Sequence, residues 1–166
     1  MDKGYQIRLA NLEDIDDLNS LLKRSTAIWN RSEKEVNGLV DLLRMTKDSL
    51  DNSICYTAQI QGNLIGFFYV SHNNDENGLN PARLYVAPDF IKKGVGSNLW
   101  HKVIDEIKVS IKTLKFLSEP NAVGFYIKKG GYIIGKKACK ITPGLMLPII
   151  QFDLKNRWYA YWQEFT

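Results

Sequence analysis

The segment that most constrains the fold of this chain is 84–97, where an apolar stretch leads through a loop into a helical pattern. Its apolar start is stopped by Pro88, which is typical of a strand that ends at a loop. Gly94 and Gly96 follow, and residues without side chains allow a ligand to approach the backbone closely. A helix predicted from about Ser97 would present free amides and the positive end of its dipole at the same place.

Positive charge lies beside these glycines, because Lys92 and Lys93 precede Gly94 directly. Together with the helix start, this charge favours a site for a phosphate group. A turn whose glycines only permit tight geometry explains the same residues, since a single Gly-x-Gly is weak support for a site. The residues of this segment alone leave both interpretations open.

Short strands alternate with helices along the rest of the chain, which predicts an α/β fold with a mixed sheet flanked by helices. Strands are predicted at 5–9, 54–60, 64–71, 82–87, 114–117, 132–134 and 147–154. Helical spacing is carried first by Ile15, Leu18, Leu21, Leu22 and Ser25, then by Val36, Leu39, Val40 and Leu43, and most clearly by Leu99, Trp100, Val103, Ile104, Ile107 and Ile111. The predicted order is β-α-α-β-β-β-α-β-α-β-β, with Asn11 and Asp14 as the cap of the first helix.

A second informative segment is 118–132, Ser-Glu-Pro-Asn-Ala-Val-Gly-Phe-Tyr-Ile-Lys-Lys-Gly-Gly-Tyr. It predicts a strand end, a short helix over 121–129 that is entered after Pro120, and a glycine cap at Gly130 or Gly131. Considered without context, its two adjacent aromatic residues are most simply core residues.

Taken together, the two segments resemble the acetyl-CoA motifs of the GCN5-related N-acetyltransferase (GNAT) superfamily. The first motif, Val-x-Pro before Gln/Arg-x-x-Gly-x-Gly/Ala, is matched by Val86, Pro88 and Lys93-Gly94-Val95-Gly96. The second, Asn-Ala-x-x-Phe-Tyr-x-x-x-Gly-Phe/Tyr, is matched by Asn121, Ala122, Phe125, Tyr126 and Tyr132. The resemblance covers roughly residues 5–155, and it departs from the family at Ile91, where Gln or Arg is usual, and at Lys92, which replaces a frequent Gly.

A softer third resemblance lies at 142–148, which is similar to a Pro-Gly-Arg-x-Leu-Pro segment of one GNAT subgroup, with Leu145 in place of the Arg. The family likeness implies a GNAT domain over 1–155 with a mostly antiparallel central sheet, and direct transfer of acetyl from acetyl-CoA, as co-substrate, to an amine. It implies no metal. It assigns the cofactor contacts to Tyr85, Val86, Lys92, Lys93, Gly94, Val95, Gly96, Ser97, Asn121, Phe125 and Tyr126.

By the same resemblance, a backbone amide at Val86 would stabilise the developing oxyanion, and Tyr126 would give a proton to the leaving thiolate. The residue that accepts the amine proton is open. Glu119 follows a strand and is the candidate we carry forward, although it could simply cap the next helix. Asp75, Glu76 and His72 in the neighbouring loop, or a water molecule, are the alternatives, and Arg83 stands where some relatives place a carboxylate.

Acceptor specificity is expected from the first two helices and the 72–80 loop. Candidate walls are Trp29, Glu33, Glu35 and Trp100, the last of which is expected to pack inside its helix. The tail 156–166 is rich in aromatic residues and is predicted to be an extension packed on the same domain; a dimer contact or an edge of the acceptor pocket are the alternatives.

Composition narrows the function classes. The 166 residues carry a net charge of +4, and no apolar run approaches the roughly 18 residues of a membrane span. We therefore expect a cytoplasmic protein that binds neither membrane nor nucleic acid, with Cys55 and Cys139 reduced. Two other functions remain as hypotheses: a non-catalytic acyl-CoA-binding or sensing module, and a basic nucleic-acid-binding domain.

Overall fold

The structure of this chain is a computed structural model that describes residues 4–154. These residues form two compact units. The first unit contains the chain up to His72 together with Arg83–Val103, and the second contains Asn73–Ala82 and the chain from Ile104 onward. The tail at 156–166, for which a packed extension is predicted, lies outside the described residues.

A four-stranded sheet in the order β1-β2-β3-β4 organises the first unit. The elements up to the unit boundary are β1 (Gln6–Leu9), α1 (Ile15–Ala27), α2 (Glu33–Leu43), α3 (Lys47–Asp51), β2 (Ser53–Ile60), β3 (Asn63–Ser71), β4 (Ala82–Val86) and α4 (Val95–Ile107), which continues past Val103 into the second unit. Single 3-10 turns precede α1 (Leu12–Asp14) and α4 (Pro88–Phe90).

The entry to α1 follows from its sequence. Asn11 and Asp14 form the predicted capping box, although on the 3-10 turn that leads into the helix. Arg8 of β1 donates two hydrogen bonds of 2.8 Å to the Asp14 carboxylate, and this contact lowers the pKa of Asp14. The predicted apolar face of α1 is confirmed, because Leu18, Leu21 and Leu22 are fully buried.

The β2–β3 hairpin closes through Gln61 and Gly62, whose φ values of 49° and 80° suit a two-residue turn. Because side chains alternate between the faces of a strand, the hairpin separates two environments. One face of the sheet meets α4: Phe68 stacks on Trp100 at 5.3 Å, and Lys102 lies over the Tyr56 ring at 5.3 Å. The opposite face carries Thr57, Phe67, Tyr69, Arg83 and Tyr85.

A three-stranded antiparallel sheet, β5-β7-β6, organises the second unit. Its elements are β5 (Thr113–Leu117), α5 (Val123–Lys128), β6 (Tyr132–Ala138) and β7 (Met146–Asp153), with a 3-10 turn (Pro120–Ala122) before α5. Its core is aromatic, since Phe116 stacks on Phe152 at 5.8 Å and both are almost fully buried.

The predicted α/β class and element order are confirmed, and four details differ. The short helix α3 was not predicted, and the strands form two hydrogen-bonded sheets. β6 extends to Ala138, because its polar second half pairs with β7. The helix α4 ends at Ile107, so the predicted helical position of Ile111 is wrong. Beyond Ile107 the Ser110 and Ile111 N–H groups both donate to the Ile107 carbonyl, at 3.0 and 2.8 Å, so the chain makes a tighter last turn there in place of continuing the regular helix.

Candidate functional site

The loop after β4 is built to expose its backbone. Lys92 and Gly94 have positive φ values of 63° and 85°. The Asn98 N–H donates to the Gly94 carbonyl at 3.0 Å, which starts α4 at Val95, two residues earlier than expected. First-turn amides of a helix have no acceptor within the helix, so this corner concentrates amide donors at the positive end of the α4 dipole.

The two residues with positive φ, Lys92 and Gly94, adopt this conformation in different sequence contexts. A Cβ added at Gly94 would meet only the Asn98 side chain, at 4.0 Å, so the backbone conformation explains this glycine and crowding does not. Lys92, which replaces a glycine frequent in the family motif, adopts the left-handed conformation that glycine favours. The neighbouring Lys93 lies with its ammonium 5.5 Å from the centre of the Phe90 ring.

Close packing fixes the start of α4 against β3, and the sequence analysis missed the residue responsible. A Cβ on Gly66 would lie 3.0 Å from Leu99 and 3.1 Å from Val95, so any larger residue would require these two side chains of α4 to shift. The Asn98 side chain also donates a hydrogen bond to the Tyr5 hydroxyl. A glycine in the interior of a predicted strand was the available signal for such close approach.

At the end of β4, the backbone N–H of Val86 points away from the neighbouring strand β3. Arg83 lies over Tyr69 and Tyr85 lies beside Phe67, so β3 and β4 run in opposite directions. The Ala87 N–H donates to the Ile65 carbonyl of β3 at 2.7 Å. Since hydrogen-bonding residues alternate along an antiparallel pair, the N–H of Val86, one residue earlier, points to the other edge of β4.

That other edge has no partner strand within this four-stranded sheet, because β4 is its terminal strand. The Val86 carbonyl accepts a hydrogen bond of 3.2 Å from the Ser25 hydroxyl, which ties the strand end to α1. Ser25 was expected only as a helix-face residue, so this contact is a second one that sequence reasoning missed. The arrangement suits the predicted role of Val86 as an amide donor.

A cavity of about 600 Å³ adjoins the loop within the first unit. It is lined by 63–65 of the hairpin, 87–90 after β4, and by Asp17, Ser20, Arg24 and Ala27 of α1. Acidic and basic side chains therefore both line this cavity. The first residues of the loop after β4, 87–90, form one of its walls.

In the second unit, the 3-10 turn and α5 present the other predicted contacts. Asn121 is exposed, Phe125 is half-buried, and Tyr126 is 7% exposed. The Tyr126 ring meets Phe116 edge-on at 4.9 Å and lies 6.3 Å from Phe152. The core-aromatic interpretation therefore holds for the Tyr126 ring.

The structure assigns separate roles to the two glycines that follow α5. Gly130 has a φ of 93°, as a glycine after a helix end often has. Gly131 faces the core, where an added Cβ would lie 2.6 Å from Phe152 and 2.8 Å from Ile150. The sequence had left open which one is required, and both are required for different reasons.

A buried cation at the end of α5 was also missed. Lys129 is 5% exposed, its ammonium lies 5.7 Å from the centre of the Phe125 ring, and burial lowers its pKa. In the sequence it is one of two adjacent lysines, so nothing distinguished it from a solvated charge.

The candidate proton acceptors differ in their surroundings. Asp75 holds its own loop, since its carboxylate accepts the N–H groups of Asn77 and Leu79 at 2.9 Å each. Glu119 is half-buried at the N-cap position of the 3-10 turn, but its side chain makes no capping hydrogen bond. The capping explanation for Glu119 therefore has no support, while His72 and Glu76 are exposed.

Two of the suggested acceptor walls remain accessible. Trp29 is 38% exposed after α1, and Glu33 is exposed in the first turn of α2, where Glu35 is half-buried. Trp100 is fully buried against Phe68, as its expected internal packing requires, so it forms no wall.

The surroundings of the two cysteines differ, and Cys55 does not offer a nucleophile. Cys55 is 3% exposed, and burial raises the pKa of its thiol to about 12, which keeps it protonated. Cys139 is half-buried and accepts the Thr142 N–H at 3.4 Å. Within residues 4–154, no group of three His, Cys, Asp or Glu side chains is placed to hold a metal, and no helix has the length and apolar character of a membrane span.

The fold is that of acetyltransferases of known structure. A GCN5-related N-acetyltransferase from Rhodopseudomonas palustris, also described as an aminotransferase of class II, superposes with a TM-score of 0.71 at 20% identity, covering 89% of this chain and 94% of that one. One from Staphylococcus aureus Mu50 gives 0.67 at 18% identity, with 91% and 99% covered. PaiA N-acetyltransferase from Thermoplasma acidophilum, in complex with coenzyme A, gives 0.65 at 20% identity, with 90% and 98% covered.

The sequence itself matches the acetyltransferase (GNAT) domain family over residues 51–133, which is half of the chain. A comparison with curated protein sequences gave no match. The chain belongs to the GNAT family and is an N-acetyltransferase. The matched region contains both predicted motifs, whose residues are grouped at 85–97 in the first unit and at 119–126 mainly around α5 in the second.

Proposed function

We propose that this enzyme transfers the acetyl group of acetyl-CoA directly to a primary amine of a small molecule or a protein. The observation that carries the proposal is the 92–97 loop, where two positive-φ residues lead into the first turn of α4. Apart from its chain neighbours, the Asn98 side chain is the only described group within 4 Å of the Cβ position of Gly94, so the loop has room for a diphosphate against its backbone.

The proposed contacts to acetyl-CoA come from the loop after β4 and from the segment around α5. Amides of Val95, Gly96 and Ser97, with Lys92 and Lys93 nearby, would hold the diphosphate of acetyl-CoA. Tyr85, Asn121 and Phe125 are the remaining proposed contacts to the cofactor. No resident metal or prosthetic group is required for this reaction, because the thioester already supplies an activated acetyl group.

At the reacting centre, the neutral amine nitrogen attacks the thioester carbonyl carbon, a C–N bond forms and the C–S bond breaks. The Val86 N–H, at the free edge of β4, is proposed to donate to the carbonyl oxygen as negative charge develops there. Tyr126 is proposed to donate a proton to the departing thiolate. Glu119, directly or through water, is proposed to accept the proton that the amine loses.

Release of free thiol from acetyl-CoA, measured with a panel of amines, tests the proposal. Tyr126→Phe keeps the ring that packs on Phe116 but removes the hydroxyl, so we expect kcat to fall about 100-fold with CoA affinity unchanged. Tyr132→Phe is the matched control, because that hydroxyl bonds Asp153 at 2.8 Å on an exposed strand, and we expect no loss.

Calorimetry with CoA separates the ways in which the proposal could fail. Tight binding without turnover of any amine would point to the acyl-CoA-binding module instead. Undetectable binding would remove the loop as a cofactor site. A Tyr126→Phe variant as active as the native enzyme would leave transfer in place but take the proton-donor role from Tyr126.

A further inference from the structure

Arg83 of β4 is a half-buried cation that has no anionic partner among the described residues. Its guanidinium nitrogen donates to the Met45 sulfur at 3.3 Å, and its carbon lies 4.8 Å from the centre of the Tyr69 ring. No carboxylate within residues 4–154 lies at ion-pairing distance from it. A thioether is a weak acceptor, so most of the five guanidinium donors lack a strong one.

The groups around Arg83 hold it in place without neutralising it. Met45 is 1% exposed, and Asn19 of α1 fixes its backbone through hydrogen bonds of 2.8 and 3.0 Å. Burial lowers the pKa of Arg83, and the nearby Cys55 thiol offers no counter-charge, because burial raises its pKa to about 12. A charge removed from water without a counter-charge is costly, which favours an anion arriving from outside.

The position of Arg83 indicates which anion this is. It shares a face of the sheet with Tyr69 and Tyr85, opposite the face that packs on α4, whose first turn is the proposed diphosphate site. Arg83 precedes Val86 by three residues, about 10 Å along an extended strand. An anion bound there would therefore belong to the acceptor and not to the phosphates of the cofactor.

We infer that Arg83 binds the carboxylate of the amine acceptor, so that the substrate class is a small amino acid-like molecule carrying both an amine and a carboxylate. This inference rests on the proposed acetyl transfer. A guanidinium can pair with a carboxylate through two parallel hydrogen bonds, which fixes the orientation of the acceptor as well as its affinity. Polyamines, which carry only positive charge, would be repelled.

Matched substrates test the inference on the native enzyme. Each pair differs by one carboxylate: phenylalanine and 2-phenylethylamine, histidine and histamine, lysine and cadaverine. We expect at least one amino acid to exceed its decarboxylated partner about 10- to 100-fold in kcat/KM, the range for hydrogen bonds to a charged group. O-phosphoethanolamine against ethanolamine asks whether phosphate is preferred, and a larger preference there would overturn the carboxylate assignment.

Variants then test whether Arg83 is the residue responsible for the preference for a carboxylate-bearing acceptor. Arg83→Gln should abolish it through KM, lowering kcat/KM for the amino acid at least 10-fold and changing that for the decarboxylated amine less than 3-fold. Arg83→Lys should restore part of it. Lys102→Gln is the matched control, since Lys102 is also a cation over a tyrosine ring but on the opposite face of the sheet, and it should alter neither substrate.

The outcomes distinguish this inference from the proposed function. If decarboxylated amines or peptide amino termini are acetylated as well as amino acids, and Arg83→Gln has no selective effect, the inference is wrong and acetyl transfer stands. If no amine is acetylated, the proposed function fails. Thermal shifts of native and Arg83→Gln protein with the amino acids then decide the inference, which requires a shift in the native protein alone.

Discussion

The two segments that carry the family motifs are built on different physical principles. The loop at 92–97 is defined by backbone conformation, with positive φ at Lys92 and Gly94 and open space around Gly94. The segment around α5 is defined by packing, with Tyr126 buried among aromatic rings and Gly131 pressed against Phe152. A backbone-defined site tolerates side-chain departures from a family motif, whereas a packed one does not.

This contrast explains where the chain departs from the two acetyl-CoA motifs. The two departures, Ile91 and Lys92, lie in the loop, where amides rather than side chains are proposed to meet the ligand. Around α5 the motif residues Asn121, Phe125 and Tyr126 are all present. Variants in the two regions should therefore fail in different ways, by lost stability near α5 and by lost cofactor affinity in the loop.

The largest effect is expected at Gly131. Gly131→Ala would force a Cβ to within 2.6 Å of Phe152 and 2.8 Å of Ile150, so we expect the free energy of unfolding to fall by about 3 kcal/mol. Gly124→Ala is the control within the preceding helix α5, where no described atom outside that helix lies within 4 Å of the added Cβ, and it should gain about 0.5 to 1 kcal/mol. Urea denaturation measures both, and equal stabilities would contradict the packing account.

A smaller loss of stability, with a larger loss of binding, is expected at Gly94. Its φ of 85° disfavours any side chain, so Gly94→Ala should cost about 1 to 2 kcal/mol and lower CoA affinity by calorimetry. Gly78→Ala offers the control, because Gly78 has a similar φ of 75° in the other unit and open space around it. It should lose similar stability but no affinity, and an equal fall in affinity would count against the loop as the diphosphate site.

A pH-dependent effect is expected from the pair that holds the start of α1. The Arg8 hydrogen bonds lower the pKa of Asp14 below its unfolded value near 4, so their stabilisation is complete above that pH and is lost as pH falls through the lowered pKa. We expect Asp14→Asn to cost about 1 kcal/mol at pH 7, a modest figure because the Arg8 side chain is 40% exposed.

Melting temperatures of native and Asp14→Asn protein between pH 7 and pH 2 check this prediction. The gap between them should narrow below about pH 4 as Asp14 becomes protonated. Asp16→Asn, at an exposed position of the same helix, should give only a small, nearly constant gap. A gap for Asp14→Asn that widens in acid would show that the ion pair is not its cause.

The smallest effect is expected at Ile91. Replacement by Gln, the residue usual in the family motif, should leave stability unchanged and raise CoA affinity by less than about 10-fold, since one added hydrogen bond contributes about 1 kcal/mol. Calorimetry measures the change. An increase of 100-fold would mean that side chains, and not amides, dominate phosphate binding in this loop.

Much of the fold could be predicted because the signals are local. The hairpin turn at 61–62, the cap at Asn11 and the apolar faces of α1 and α4 each depend on residues within one or two turns of each other. The second half of β6 could not be predicted, because its Gly-Lys-Lys run becomes a strand only by pairing with β7. Likewise, Ile111 continues the helical spacing in the sequence, but the regular helix ends at Ile107, whose carbonyl accepts the N–H groups of both Ser110 and Ile111.

For the candidate site, the sequence by itself determined the two motifs and their predicted chemistry. Both motifs consist of residues at fixed, short spacings along the chain, so they can be recognised without the tertiary structure. Only the tertiary structure decided that Gly66 lets α4 pack close to β3, that the Ser25 hydroxyl donates to the Val86 carbonyl, and that Arg83 is half-buried with no carboxylate of residues 4–154 at ion-pairing distance. These contacts join residues up to 61 positions apart. No local pattern specifies them, since they arise only when separate elements pack together.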